Sequence, residues 1–115
     1  MHNVVMLSWN RSLPGREQLS SQHFQDFVGY LQAQKAQGVI ESFEPVLLEP
    51  NGAGIHGFFL IRGTTEKLNA LTSSPDWVQH WVRAMVHLER PAVVRGVMGN
   101  MVGERMALWM KALPG

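Results

Sequence analysis

One histidine and one carboxylate occur at positions where the sequence predicts an apolar interior. His23 lies on one stripe of a predicted helix with Phe27 and Leu31, at four-residue spacing, and should face a sheet. An imidazole, with a pKa of about 6.5, is suited to proton transfer. Glu44 lies in a predicted strand among aliphatic residues, where a carboxylate is costly unless it is paired or protonated. With Phe59, these residues predict a small-molecule site that is mostly apolar and has two polar groups.

Both polar residues also have a simpler interpretation, which the sequence leaves open. Histidines on the inner face of a helix often satisfy a backbone carbonyl, and His23 is compatible with that role. Glu44 is compatible with a place at the sheet edge or with an ion pair to a lysine or arginine. Whether Glu44 and His23 meet depends on the tertiary structure.

The other candidate ligands in the chain do not predict a metal or a cofactor. A helix separates His80 and His87 by about 10.5 Å along its axis, which is too far for both to bind one metal ion unaided. The chain has no cysteine, so disulfides and thiolate ligands are excluded. Gly52, Gly54 and Gly57 lie in and after a hairpin turn and not between a strand and a helix, as a phosphate-binding loop requires. We therefore expect neither a metal nor a cofactor.

Charge and hydropathy argue against nucleic acid and membranes as partners. The formal net charge is +1, and the ten basic residues are scattered instead of forming a stripe. No run of about 18 apolar residues occurs, and the N-terminal segment lacks the positive charge of a signal peptide. We expect a single domain, residues 1–115, in the cytoplasm.

The hydrophobic pattern predicts the element order strand, helix, strand, strand, helix, strand, followed by a terminal helix. The predicted ranges are 4–9, 16–37, 39–48, 55–62, 64–88, 92–98 and 103–113. Ser74 and Pro75 form a second helix start, so the helix over 64–88 should break near Ser73. This order is typical of the α+β ferredoxin-like fold, a four-stranded antiparallel sheet with both helices on one face and, here, an extra C-terminal helix.

The two hairpin strands predict which residues share a face of the sheet. If the strands are symmetric about the loop 49–54, Glu41 faces Arg62 and the opposite face, with Glu44 and Phe59, meets the helices. The face away from the helices then carries Glu41, Phe43, His56, Phe58 and Arg62. We predict that these residues form a dimer interface, with the charged pair setting its register.

Apolar residues at both alternating sets of strand positions support a dimer. In the first strand, Val4 and Met6 are as apolar as Val5 and Leu7. An antiparallel sheet with one face in water would alternate apolar and polar residues. A second copy of the chain is the simplest cover for the outer face, because two-fold homodimers dominate soluble oligomers.

The chain resembles the dimeric α+β barrel superfamily, in which two ferredoxin-like subunits pack their sheets face to face. The resemblance covers nearly all 115 residues in element order, and the segments 40–48 and 57–63 are similar to those of a group of small bacterial proteins of this fold. The superfamily includes cofactor-independent monooxygenases, haem-degrading monooxygenases and isomerases, but none of their catalytic motifs is matched convincingly. The resemblance implies a homodimer and assigns no activity.

Three functions are compatible with these observations. The first is a homodimeric protein that binds a small apolar or aromatic molecule between sheet and helices, beside His23, Glu44 and Phe59. The second is a cofactor-independent monooxygenase or isomerase acting on an aromatic substrate. The third is a structural or accessory dimer whose clefts are filled by side chains. Binding is preferred because it requires least of the residues.

Overall fold

The structure is a computed structural model that describes all residues, Met1–Gly115. Its strands and helices, in chain order, are β1 Val4–Trp9, β2 Arg11–Ser12, α1 Glu17–Ala36, β3 Ser42–Leu47, β4 Gly57–Arg62, α2 Thr65–Ser73, α3 Pro75–His87, β5 Leu88–Glu89, β6 Ala92–Gly96 and α4 Asn100–Lys111. None of the helices has the length and hydropathy needed to cross a membrane.

The main sheet has four antiparallel strands in the order β3–β4–β1–β6. The helices α1, α2 and α3 cover one face of it, and their apolar side chains form the core with inward residues of β1 and β4. The core contains Val5, Leu7, Phe27, Leu31, Ile40, Phe59, Ile61, Leu68, Leu71 and Trp77. The strand order and the one-sided helices confirm the predicted ferredoxin-like arrangement.

The helix boundaries follow from local signals in the sequence. Residue Gly38, with φ of 74°, follows the end of α1 in a left-handed conformation that suits glycine. Between α2 and α3, Ser74 accepts a hydrogen bond from the Trp77 backbone N–H at 3.3 Å and donates one to the Leu71 carbonyl at 2.7 Å. Because Pro75 then starts α3 with its φ already set, the predicted break near Ser73 is confirmed.

The predicted register of the β3–β4 hairpin is wrong by one residue. Ser42, not Glu41, is the partner of Arg62, and Glu44 faces Leu60. The loop is longer than predicted because Ile55 belongs to it. The side chain of Asn51 donates hydrogen bonds to the Ile55 carbonyl at 3.0 Å and to the Glu49 carbonyl at 2.8 Å.

A shift of one residue moves every β3 side chain to the other face of the sheet. Phe43, predicted at the outer face, packs against the core on the helix side. Glu44, predicted to face the helices, is exposed on the outer face, beside Leu60. The β4 residues were assigned correctly, since Phe59 and Ile61 are buried under the helices.

The outer face of the sheet carries many apolar side chains, and the helices α1, α2 and α3 pack on the other face. The apolar side chains of the outer face are Val4, Met6, Val46, Phe58, Leu60 and Val94. Of these, Val94 is 49% exposed.

The helix α4 lies apart from the rest of the domain. None of its residues is buried, and it makes no extensive packing contact with another element. Large apolar side chains are exposed along it, among them Leu108, Trp109 and Met110. The radius of gyration of 15.8 Å exceeds the value of about 13 Å expected for a compact domain of this length, in keeping with a projecting helix.

Candidate functional site

A cavity of about 250 Å³ lies between the inner face of the sheet and the helices α1 and α3. Four aromatic residues line it: Trp9, Phe24, Phe27 and Phe59. The polar groups in the lining are the side chains of Ser20, Ser21, His23 and His87. The cavity is therefore an apolar, ring-lined space with hydrogen-bonding groups supplied by the two helices.

The aromatic rings contact one another and hold the cavity in shape. The centroids of Phe59 and Phe24 are 5.2 Å apart, and those of Phe59 and Phe27 are 5.0 Å apart at an interplanar angle of 79°. Trp9 packs against Phe59 at 5.8 Å and meets Phe24 edge-on at 6.4 Å. Such tilted and edge-to-face pairs are favoured geometries for aromatic side chains.

Gly57 allows Trp9 to take its place in this wall. The two residues are partners in the β1–β4 register, and the indole ring lies across the glycine. A Cβ at position 57 would come within 2.3 Å of the Trp9 ring. Only glycine at position 57 therefore leaves room for the Trp9 ring.

Three histidines form a continuous hydrogen-bonded chain at the polar side of the cavity. His23 Nδ1 is 2.7 Å from His87 Nε2, and His23 Nε2 is 3.0 Å from His80 Nδ1. The chain continues from His87 Nδ1 to Ser20 Oγ at 2.7 Å and from there to Ser12 Oγ, also at 2.7 Å. It connects a cavity-lining hydroxyl with the partly exposed His80.

The positions of the histidines along α1 and α3 bring their imidazoles together. His80, Ala84 and His87 share one face of α3 because they are four and three residues apart. Ala84, which is only 1% exposed, is small enough to let α1 come close, and His23 projects between the two α3 histidines.

The short strands β2 and β5 place Ser12 beside His87. Ser12 is the register partner of Leu88, and the Leu13 backbone N–H donates to the His87 carbonyl at 2.8 Å. This pairing holds Ser12 next to the end of α3, within reach of Ser20 on α1.

Burial keeps all three imidazoles neutral at neutral pH. It lowers the pKa of His23 to about 3, with a further lowering by the nearby positive charge of Arg83. The pKa values of His80 and His87 are also lowered, by burial first and by Arg83 second. Arg83 itself is paired with Asp26 at 2.8 Å, and this hydrogen bond lowers the pKa of the Asp26 carboxyl.

The geometry is that of a hydrogen-bond chain and differs from that of a metal site. Each nitrogen of His23 faces a nitrogen of another histidine, so the lone pairs do not converge on a common point. A neutral imidazole has one N–H donor and one acceptor nitrogen, so such a chain can accept a proton at one end and release one at the other.

The predicted ligand-binding residues are only partly brought together. His23 and Phe59 both line the cavity. Glu44 lies on the opposite face of the sheet and does not meet His23, because of the shifted register.

The predicted interface residues divide between the two faces. Phe58 and Arg62 lie on the outer face, and Phe43 lies on the inner one. His56 lies just before β4, where its Nδ1 is 2.8 Å from Asn10 Oδ1. Glu41 is exposed just before β3, and its backbone N–H donates to the Arg62 carbonyl at 2.8 Å.

His80, His87 and Ser20 were missed as site residues in the sequence. The sequence contained a signal for this cluster. His80 and His87 share one helix face with Ala84 between them, and His23 lies on the inner face of another helix. The distance between His80 and His87 excluded a shared metal ion, but it leaves room for an imidazole between them.

Comparisons with known proteins identify the fold. No protein-family model matches the chain, and the search of curated proteins found no match. A solved structure from Bacteroides fragilis, a dimeric protein of unknown function with a ferredoxin-like fold, is 15% identical with a TM-score of 0.57, over 80% of this chain and 92% of that one. A 5-chloro-2-hydroxyhydroquinone dehydrochlorinase from Burkholderia phenoliruptrix, in complex with 2,5-dihydroxybenzoquinone, is 18% identical with a TM-score of 0.45, over 85% and 97% of the two chains. The likeness to the first structure shows a ferredoxin-like fold, in agreement with the predicted fold class.

Proposed function

We propose that the protein binds a small aromatic molecule in the cavity between the sheet and the helices α1 and α3. The observation that carries this proposal is the wall formed by Trp9, Phe24, Phe27 and Phe59 around an unfilled space of about 250 Å³. Ligand sites are typically apolar concavities with a few placed polar groups. The structural alternative, a dimer whose clefts are filled by side chains, predicts no such space.

The volume supports a ligand with one aromatic ring. An apolar cavity of about 150 Å³ is enough to hold benzene. The space beside Trp9 and Phe59 therefore has room for a ring with small substituents. Flat ligands gain most from such a site, because tilted and edge-to-face contacts with the surrounding rings add to the burial of apolar area.

The hydrogen-bonded histidine chain favours an enzyme as the second candidate function. Ser20, His23 and His87 line the cavity and belong to one chain of proton donors and acceptors. Proton transfer to or from a bound aromatic molecule is the chemistry these groups are suited to. A cofactor-independent monooxygenase or isomerase remains compatible with this site.

We further propose that two copies of the chain form a homodimer through the outer faces of their sheets. The support is the apolar surface of Val46, Phe58, Leu60 and Val94, of which Val94 is exposed and the other three are partly exposed. An apolar patch of this kind on a small protein usually marks an interaction site. The structure from Bacteroides fragilis, which has the same fold, is described as dimeric. The exposed apolar side of α4 then has a second subunit to pack against.

Binding is tested by titrating the protein with 4-nitrotoluene and following the tryptophan fluorescence and the methyl NMR resonances. We expect saturable binding with shifts confined to residues at the cavity. The variant Ser21→Trp places a large ring at an exposed position in the lining, so it should block binding without unfolding the protein.

The matched control is Gln25→Trp, an exposed position on the same helix outside the lining. It should bind 4-nitrotoluene as the wild type does. Equal binding by both variants, or no saturation with the wild type, would overturn the proposed site.

A further inference from the structure

We propose that Ser20, His87, His23 and His80 form a proton relay that connects a hydroxyl group of the bound aromatic ligand with the solvent. The relay rests on the proposed ligand, since Ser20, at its inner end, lines the cavity. It extends the binding function to proton transfer and names the ligand class, a small hydroxylated aromatic compound.

The contacts along the relay are short and run end to end. Ser20 Oγ lies 2.7 Å from His87 Nδ1, and His87 Nε2 lies 2.7 Å from His23 Nδ1. His23 Nε2 lies 3.0 Å from His80 Nδ1, and the planes of these two rings differ by 9°. A proton can therefore enter each imidazole at one nitrogen and leave it from the other, as proton conduction requires.

Neutral imidazoles in such a chain must share one polarity. If His87 donates from Nε2 to His23, then His23 holds its proton on Nε2 and donates to His80, which also holds its proton on Nε2. In the reverse polarity all three carry the proton on Nδ1, and His87 donates to Ser20. The geometry therefore allows two states, in which the three histidines are all Nε2–H or all Nδ1–H.

One proton crosses the relay when it changes from the first state to the second. The ligand O–H gives its proton to Ser20 Oγ, and Ser20 passes its own proton to His87 Nδ1. His87 passes its Nε2 proton to His23 Nδ1, and His23 passes its Nε2 proton to His80 Nδ1. His80 then releases its Nε2 proton to water, and each bond that breaks leaves its electron pair on the oxygen or nitrogen atom. The ligand is left as an oxyanion, and no residue changes its charge.

This neutral route suits the charges around the relay. Arg83 lies close enough to lower the pKa of all three histidines, and the buried His23 resists a positive charge most strongly. Three other ionisable groups face the relay. They are Asp76, Asp26, which is paired with Arg83, and Tyr30, whose ring lies 4.6 Å from that of His80. A relay that never holds an extra proton avoids the cost of an imidazolium in this place.

The surface end of the relay is open. His80 is only partly buried, and its Nε2 has no hydrogen-bond partner in the chain. At the cavity end, Ser20 lines the cavity and its Oγ lies 2.7 Å from Ser12 Oγ. The serine pair keeps the inner end hydrogen-bonded while the cavity is empty.

The test follows the protonated nitrogen of each histidine by ¹⁵N NMR of ring-labelled protein, free and saturated with 4-nitrophenol. The absorbance of this ligand reports its own ionisation. The bound neutral phenol should place all three histidines in the Nε2–H state. Raising the pH until the bound ligand ionises should move all three to the Nδ1–H state together, including His80 at the far end.

4-Nitrotoluene is the matched ligand, since it has a similar shape and no ionisable hydroxyl. It should bind and leave the histidine states unchanged across the same pH range. The variant His80→Phe keeps a ring at the surface end but removes both nitrogens, so the concerted change at His87 and His23 should be lost. His56→Phe, which lies outside the relay, should retain it.

The outcomes separate the relay from the binding site. If 4-nitrophenol binds and only His87 changes, or if the three histidines differ in state in the free protein, the relay is wrong while the binding function stands. If neither aromatic ligand binds, the binding function fails and the relay fails with it. A concerted change with 4-nitrophenol that is absent with 4-nitrotoluene supports both.

Discussion

His23 and His87 are 64 residues apart in the chain, yet His23 Nδ1 lies 2.7 Å from His87 Nε2 in the buried region between α1 and α3. The contact joins the helix before the hairpin with the helix after it. It places two imidazoles, each hydrogen-bonded at both nitrogens, beside the aromatic core, where unsatisfied polar groups would be costly. The packing of these helices and the chemistry of the cavity therefore depend on the same side chains.

The free energy of unfolding should fall as the pH is lowered below about 6.5. The pKa of His23 in the folded protein is about 3, below the ordinary value of 6.5 in an unfolded chain. Between these values the unfolded chain binds more protons, so acid favours unfolding. The loss due to His23 should be on the order of 1–2 kcal/mol at pH 5, measured by urea denaturation at pH 7 and pH 5.

The variant His23→Gln keeps a polar side chain at this position and removes the titrating group. Its stability should change less between pH 7 and pH 5 than that of the wild type. An equal pH dependence in both proteins would contradict the assignment to His23.

Gly57→Ala should destabilise the protein and disturb the cavity wall. The added methyl group would overlap the Trp9 ring, which cannot move freely because it packs against Phe24 and Phe59. We expect a loss of about 1–3 kcal/mol in the free energy of unfolding and a change in the near-ultraviolet circular dichroism of Trp9. Gly52→Ala is the control, because a Cβ at position 52 meets no atom within 4 Å. Comparable losses in the two variants would show that Trp9 is not the cause.

Val94→Glu should convert the proposed dimer into a monomer. Val94 lies on the outer face of the sheet and is 49% exposed in the single chain, so a carboxylate there would be buried in the interface. Val82→Glu is matched to it, since Val82 is 50% exposed but lies on α3. Light scattering after size exclusion should give the mass of a dimer for Val82→Glu and of a monomer for Val94→Glu. A dimer with both variants would place the interface elsewhere.

Arg83→Gln should raise the pKa values of the three histidines toward their ordinary range. Arg83 contributes to the lowered pKa of His80, after burial, and its removal leaves burial as the main remaining cause. An NMR titration of the His80 ring protons measures the change. Arg62→Gln also removes one positive charge, but from the outer face of the sheet, and should leave the pKa of His80 unchanged. No difference between these variants would mean that Arg83 does not act on the relay.

Most of the fold could be predicted from local pattern. The range of β1, the break at Ser74 and the end of α1 near Gly38 depend on residues close together in the chain, and all three agree with the structure. The hairpin was recognised, but its register was not, because one hydrogen-bonded turn residue, Ile55, decides the pairing of every residue in β3. Glu44 was consequently placed on the wrong face.

The sequence by itself determined the order of the helices and of the four main-sheet strands, the ferredoxin-like arrangement and the inward position of His23 and Phe59, because hydrophobic periodicity and helix caps act over a few residues. It did not predict the two short strands β2 and β5. Only the tertiary structure decided that His80 and His87 close on His23 from two sides and that Ser20 continues the chain. These contacts depend on how closely α1 and α3 approach over Ala84. That distance is set by side-chain packing between segments far apart in the chain, and no local pattern encodes it.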